Sequence, residues 1–320
     1  MRREFIILSI AAAAIVAAFG GTVLVLNATL YSASGFVRSY LDSLARHDVA
    51  GALELVGPQA SGDANDDLLT AAALPDLTDL ELVSDDTDAQ GIHRVVYSFT
   101  SEGKSGESTF TVRPQGTLLG LFPTWSFESS PLGVLQVLPR HGTEFTVNGV
   151  AVVAPEQDRP SPYRVFVPGT YELASDTRYL EAAPVQVLAS QPGAAVIGSV
   201  TMQPTDTFIG EVQRQLNEYL DECATQTVLQ PTGCPFGEQI SNRITSTPAW
   251  SIAHYPKVTL VPGTAPGSWL MPPTDAAAHL KVDIRSLFDG TVSTFDEDVP
   301  FGSSYLVTFL PDDELLIAAQ

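Results

Sequence analysis

Between Phe5 and Leu26 the sequence runs for 22 residues without a charge, FIILSIAAAAIVAAFGGTVLVL, and this run constrains how the rest of the chain can be placed. A helix rises about 1.5 Å per residue, so such a run is long enough to cross a bilayer core of about 30 Å. Arg2 and Arg3 precede it, and the next basic residue is Arg38. The positive-inside rule then leaves the first residues in the cytoplasm and everything after about Tyr31 outside. A cleaved signal peptide is the rival reading, with an apolar region of about 7–15 residues and a small-x-small cleavage site. Ser32-Ala33-Ser34 has that form, but the apolar run is longer than such a region. The expectation is an uncleaved signal-anchor within residues 1–31, in the plasma membrane, with the C-terminal domains extracellular. Ala13, Ala17 and Gly21 fall at the small-xxx-small spacing that lets membrane helices approach, so weak self-association through this helix is a further expectation.

Charge excludes one class of partner. The 320 residues carry 16 Lys and Arg against 37 Asp and Glu, a formal net charge of −21. Nucleic-acid binding needs basic patches to meet phosphate, so no nucleic-acid partner is expected. Hydrophobic residues make up 44% of the chain, which excludes a disordered acidic tail. Removing Arg2, Arg3 and Glu4 leaves 14 basic and 36 acidic residues, so the part beyond the run carries −22.

Cys223 and Cys234 are the chain's two cysteines and bracket CATQTVLQPTGC. Outside the membrane, a close pair around a Pro-Thr-Gly turn predicts a disulfide. A redox or metal pair would take Cys-x-x-Cys spacing, which this sequence lacks.

Beyond the anchor the hydrophobic period divides the chain into three segments. In residues 34–131, Phe36, Val37, Tyr40, Leu41 and Leu44 recur at helical spacing, and Ala52, Leu53 and Val56 form a second stripe that Gly57-Pro58 ends. The period then becomes two in LTDLELVSD, HRVVYSFTS, ESTFTVRP and LFPTWSFES, which predicts an antiparallel meander. Residues 132–206 show no helical pattern, only short strands with Asn-Gly and Pro-Gly turns, and predict a small all-β sandwich or barrel. Residues 207–320 open with a helix carrying Ile209, Val212, Leu216, Tyr219, Leu220 and Cys223 on one face, followed by further strands. The expected class is therefore α+β throughout, with one all-β domain between two α+β domains. Tyr40-Leu41-Asp42 recurs as Tyr219-Leu220-Asp221, and Pro123-x-Trp125-Ser126 as Pro248-x-Trp250-Ser251, which suggests a degenerate duplication.

The helix pair FVRSYLDSLARHDVAGALELV, followed by four strands with a Trp in the last, resembles a cystatin-like cone of the nuclear-transport-factor-two type. The segment LDECATQTVLQPTGCPFG is similar to a C-terminal module of actinobacterial membrane-anchored proteins. The layout of an anchor followed by small β-containing domains resembles teicoplanin-resistance-associated (TcaA-type) envelope proteins. Such proteins often carry a zinc ribbon before the anchor, which this sequence does not show, so that comparison covers architecture only. Cones of this kind can hold an apolar ligand or acid–base residues between helix and sheet. The inward-facing candidates are Tyr40, Tyr97, Phe99, Phe110, Trp125 and Phe127, with Trp250 in the third segment. The plainer reading is that these rings fill cores.

Other chemistry is faint. The five histidines, His47, His93, His141, His254 and His279, lie far apart with no second ligand at i+3 or i+4, and are expected at surfaces or strand ends. Gly103-Lys104-Ser105 resembles the end of a phosphate loop, but Ser98 stands where its first Gly would be. Asp86-x-Asp88-x-Gln90-Gly91 begins like a calcium loop, yet Tyr97 replaces the closing Glu, and Leu68 follows Asp63-x-Asn65-x-Asp67 where Gly is required. Asp296-Glu297-Asp298 and Asp312-Asp313-Glu314 read as hairpin acids. No catalytic residue, metal or cofactor is therefore expected. The leading expectation is a non-enzymatic extracytoplasmic protein binding a protein partner or cell-envelope component. The alternatives are a cone that binds a small apolar ligand or lipid and, third, a secreted cone-fold enzyme.

Thiol labelling of the unreduced, denatured protein is expected to detect no free cysteine, and two reactive thiols would contradict the pairing. In the chain-entropy picture a loop of this size stabilises by up to about 3 kcal/mol, so reduction should lower the melting temperature.

Overall fold

Helix α1 (Arg2–Ala28) carries the apolar run, and α2 (Ala33–Ala45) follows after a short turn. The break is sharp because Ser32 caps α2, its Oγ accepting from the Gly35 amide at 2.9 Å. The computed structural model describes residues 2–58, 62–311 and 314–319, with the side chains of α1 described from Ala13 onward. The chain is mixed α+β and divides into two units, Met1–Ser175 with Ala183–Val200 and Asp176–Ala182 with Thr201–Gln320.

In the first unit α2 buries Ala33, Val37, Tyr40, Leu41 and Leu44 on the face the sequence spacing marks out. Asp48 caps α3 (Val49–Val56), and Gly57 ends it at a φ of 74°, a conformation that glycine takes without steric cost. Strands β1 (Leu77–Thr87), β2 (His93–Ser101), β3 (Lys104–Leu118) and β4 (Phe122–Phe127) then form an antiparallel meander in sequence order. Alternate residues Val95, Tyr97 and Phe99 of β2, with Phe110 and Val112 of β3, join the α2 stripe in one core.

The rest of this unit is β-structure in two sheets. Strands β5 (Leu132–Arg140), β6 (Glu144–Val147), β7 (Val150–Val153), β8 (Ser161–Phe166), β9 (Gly169–Asp176), β10 (Leu180–Ala189) and β11 (Ala195–Thr201) divide so that β11-β5-β8 is one sheet, while β10, β9, β6 and β7 are neighbours in the other. Phe145 of β6 meets Tyr163 of β8 edge-on at 6.1 Å, which places inward faces of the two sheets together. Asn148 and Gly149 both take positive φ (47° and 78°), as a two-residue hairpin turn requires. At Gly198 a Cβ would stand 2.3 Å from Leu173 Cδ1, so only glycine permits that approach.

Three polar links join the helices, the segment before β1 and the meander to these sheets within the first unit. The Tyr40 hydroxyl donates to the Val167 carbonyl at 2.9 Å and lies 3.3 Å from that of Pro131. Ser101 and Thr170 bond reciprocally, each hydroxyl meeting the other's main chain at 3.0 Å. The Asn148 amide donates to the Ala73 carbonyl at 2.8 Å and its carbonyl accepts from Glu172 N at 2.7 Å.

In the second unit, β12 (Gln203–Pro204) pairs with Leu180 and Glu181 at the start of β10. Helix α4 (Asp206–Ala224), capped by Thr205, buries Phe208, Val212, Leu216, Leu220 and Cys223. The expected Cys223–Cys234 disulfide is present, with Cα atoms 5.8 Å apart. Strands β16 (Ser268–Arg285) and β17 (Val292–Phe309) form one long hairpin, and β18 (Leu315–Ala319) pairs with the end of β17. Three short strands, β13 (Arg243–Ile244), β14 (Ala249–His254) and β15 (Val261–Pro262), pair with β16.

Two sequence expectations are corrected here. TVSTFDED and SYLVTFLP read as separate strands but are one strand, β17, while β16 extends HLKVDIR backwards through SWLMPPTDAAA. The prolines within these long strands are accommodated: the β16–β17 register skips Pro272-Pro273, and Pro300 lies beyond the stretch of β17 paired with β18. Both units do follow a helix with antiparallel strands. However, Trp125 lies on the last strand of its meander, whereas Trp250 lies on β14, a short strand that precedes β16 in sequence and pairs with it. The repeated Pro-x-Trp-Ser therefore does not mark equivalent positions.

Replacing Tyr40 with Phe removes the buried donor to the Val167 and Pro131 carbonyls while keeping the ring. A loss of about 1–3 kcal/mol in chemical denaturation is expected; unchanged stability would show that the hydroxyl contributes nothing to joining these segments.

Candidate interaction surfaces

The aromatic residues named as cavity candidates pack on one another. In the first unit Tyr40 meets Phe127 at 5.3 Å and Phe110 at 6.0 Å, and Phe110 meets Phe127 at 5.9 Å. Tyr40, Tyr97, Phe99 and Phe110 are buried, with Trp125 and Phe127 packed against the same core. Their polar atoms already have main-chain acceptors: Tyr97 donates to Ser34 O at 3.0 Å and Trp125 to Tyr31 O at 2.9 Å. Trp250 belongs to the second unit's core, where it meets Phe236 at 5.0 Å and donates to Val228 O at 2.8 Å. Phe36, placed in the helical stripe but not among the cavity candidates, meets Phe127 at 5.0 Å, and sequence reasoning missed Phe236, whose role appears only once the disulfide loop is folded.

A shallow groove of about 570 Å³ crosses β1, β2 and β3, lined by Asp79, Glu81 and Glu107 with Ser98, Thr100 and Ser105. Its carboxylates face water, as solvated turn and strand acids do. The Asp-rich stretch before Leu68 is tied to β8: Asn65 N donates to Pro162 O and Arg164 N to Asn65 O, while the Asp66 carboxylate pairs with the Arg164 guanidinium through both oxygens. That use of Asp66, with the Asn65 side chain accepting from Asp67 N at 2.8 Å, makes the segment a strap rather than a cation loop. Asp312 and Asp313 lie outside the described residues. Among the described residues no group of three or more His, Cys, Asp or Glu is arranged to hold a metal ion.

Three histidines pair with carboxylates. His47 lies 3.2 Å from Asp76, His93 lies 2.5 Å from Asp85, and His279 lies between Asp296 (2.7 Å) and Asp298 (2.8 Å). The His279 arrangement follows from strand register, since β16–β17 pairing sets His279 opposite Asp298 and Lys281 opposite Asp296. Lys281 completes it with a 2.7 Å contact to Asp296. Hydrogen bonds that the ring donates to Asp298 and then Asp296 hold the imidazole above its ordinary range, and Lys281 with His279 holds the Asp296 carboxyl below its own.

The turn joining β16 and β17 is the most exposed apolar feature of the second unit. Leu287 is 73% exposed and Phe288 99% exposed. Hydrogen bonds hold them there: Ser286 N donates to Thr291 O at 2.9 Å, Gly290 N to Ser286 O at 3.1 Å, and the Asp289 carboxylate accepts from Thr291 N and Oγ1 at 3.1 and 2.7 Å. Those bonds to Thr291 hold the Asp289 carboxyl below its usual range. A phenyl ring held in water by an ordered turn is chemically suited to enter a pocket on another molecule. The sequence signal is Leu-Phe inside a Ser/Asp/Gly turn that follows a strand-like run.

On its described side chains, no single helix is long and apolar enough to cross a membrane; Ala13–Ala28 passes only together with Ala33–Ala45, from which it is bent by 62°. The second member of that pair is α2, whose apolar face is buried in the first unit's core. By contrast Ile15, Val16, Phe19, Leu24 and Val25 of α1 are exposed. No protein-family model matches the chain, and no curated protein or solved structure matches it either.

The His279 pairs make a pH prediction. A histidine whose folded pKa is raised contributes stability that is complete below its ordinary value of 6.5 and is lost as pH rises through the folded value. The side chains are partly exposed, so the effect should be at most about 1 kcal/mol. Thermal melts of wild type and His279→Asn should differ most at acidic pH and converge as pH rises, and a difference independent of pH would contradict the assignment.

Proposed function

We propose that the chain is a single-pass, membrane-anchored extracytoplasmic protein of cystatin-like build, whose folded units bind a protein partner or cell-envelope component without catalysing a reaction. The observation that carries this reading is the exposed apolar surface of α1. A helix of 27 residues is about 40 Å long, more than the bilayer core, and water is a poor solvent for its Ile, Val, Phe and Leu side chains. Arg2 and Arg3 at its start favour a cytoplasmic N-terminus. The folded units then follow the anchor on the far side, where an oxidising environment suits the Cys223–Cys234 disulfide.

The partner surface in this reading is the Leu287-Phe288 turn. Interfaces draw much of their energy from a few aromatic anchors that enter pockets, and Phe288 is presented without cover from its own unit. The excess of carboxylates keeps the exported units soluble and mutually repelling, so contact is left to the apolar Leu287-Phe288 pair.

A photo-crosslinking residue placed at Phe288 in the full chain, in intact cells, should give one discrete adduct. The adduct should fall at least about tenfold with Leu287→Ser, the equivalent of about 1.4 kcal/mol of lost binding. The same probe at Ile197 should give none. Equal adducts at both positions, or none at Phe288, would overturn the reading.

A further inference from the structure

The β3–β4 hairpin carries a second apolar feature, and its placement beside α1 gives it a different use. From Pro114 to Phe127 the sequence PQGTLLGLFPTWSF has no charged residue. From Arg113 to Leu121 every residue is exposed, so the end of the hairpin extends past the core it helps to form. Leu119 at the tip is 83% exposed, with Leu118 and Leu121 beside it also exposed.

The tip's backbone makes the choice of residue more telling. Leu121 N donates to Leu118 O at 3.1 Å, closing a turn over Leu119 and Gly120, whose φ values are 54° and 68°. Positive φ at the first of these favours Asn, Asp or Gly and is costly for leucine. The sequence therefore places an apolar side chain at a turn position where neither backbone preference nor exposure to water favours it.

This hairpin is attached to the end of the apolar helix. The Asn27 side-chain amide donates to the Leu121 carbonyl at 2.9 Å. Tyr31 stacks on Phe122 with ring centroids 4.4 Å apart, and the Trp125 indole donates to the Tyr31 carbonyl at 2.9 Å. Tyr, Trp and Phe rings thus gather where α1 ends, the position at which aromatic side chains collect along membrane-spanning helices. The first charged residues beyond the two uncharged stretches are Arg38 on one side, with Arg113 and Glu128 on the other.

We propose that the β3–β4 tip is a lipid-binding wedge: Leu118, Leu119 and Leu121 enter the acyl–headgroup boundary of the outer leaflet beside the anchor. The inference rests on the reading of α1 as a membrane span. The occupant is lipid because the tip is bonded to the end of that helix and presents three exposed leucines there with no charge among them. Amphipathic elements bind at this depth through buried apolar area. Two attachments, one spanning and one interfacial, would fix the orientation of the first unit at the bilayer surface, which a single helix followed by a turn would leave free.

The test uses the full chain in phosphatidylcholine vesicles. Its two native cysteines are bonded to each other, so single replacements Leu24→Cys, Leu119→Cys and Ile197→Cys can each be labelled with an environment-sensitive fluorophore under non-reducing conditions. Labels at Leu24 and Leu119 should be quenched by nitroxide-bearing lipid and lose quenching by iodide, while the label at Ile197 should respond in the opposite way. Iodide quenching at Leu119 with lipid quenching retained at Leu24 would overturn the wedge and leave the anchor standing. Iodide quenching at both would overturn the anchor reading itself. Protection of Leu119 from both quenchers would assign the tip to a protein cover and overturn the lipid proposal.

Discussion

Tyr40 sets how the first unit holds together, because its two ends satisfy different demands. The ring fills space between α2 and the meander, meeting Phe110 and Phe127. The hydroxyl reaches the Val167 carbonyl at the start of the turn between β8 and β9. A buried hydroxyl without a partner is costly, so the position of the ring and the position of that turn cannot be chosen independently. Burial, with Tyr171 nearby, pushes the phenol well above its ordinary range, which keeps it a donor at any physiological pH. The reciprocal Ser101–Thr170 bonds extend the same dependence to the end of β2. The helix-and-meander part and the all-β part of this unit are therefore joined by a few buried, directional bonds.

The second unit is organised on another principle. Its core is shaped by α4 lying against one long hairpin, and its disulfide ties the end of that helix to the loop on which Phe236 sits. Phe236 packs on Trp250 and Phe301, so the covalent link and the aromatic cluster constrain the same stretch of chain. The hairpin then continues beyond the core and ends in the ordered turn that presents Phe288. Length in β16 and β17 converts a packed sheet into an arm.

Much of this was legible in the sequence. The helical stripe Val37-Tyr40-Leu41-Leu44, the capping and ending signals around Asp48 and Gly57, and the four meander strands follow from periodicity and local chemistry. The cysteine pair followed from spacing and compartment. What the sequence concealed depended on register. Nothing local shows that His279 faces Asp298, or that Pro272-Pro273 can be skipped without ending a strand, because both are properties of the partner strand. The use of Asp66 was hidden in the same way: an acidic stretch reads as solvated linker until Arg164, far along the chain, is brought beside it. Exposed apolar tips were the hardest to see, since Leu119 and Phe288 continue patterns that usually point to cores.

The open edge of β17 bears on a different hazard. Strand β18 covers only Tyr305–Phe309, and among the described residues the stretch from Val292 to Ser304 has no partner on that side in the strand order. An unpaired edge of that length is a template on which another chain could add a strand. This one carries Asp296, Glu297 and Asp298 in succession, then Pro300, which has no amide hydrogen to offer. Copies at high local concentration would meet often and edge to edge. Carboxylates and proline at this edge would keep such encounters from propagating into fibrous assemblies, so crowding need not lead to aggregation.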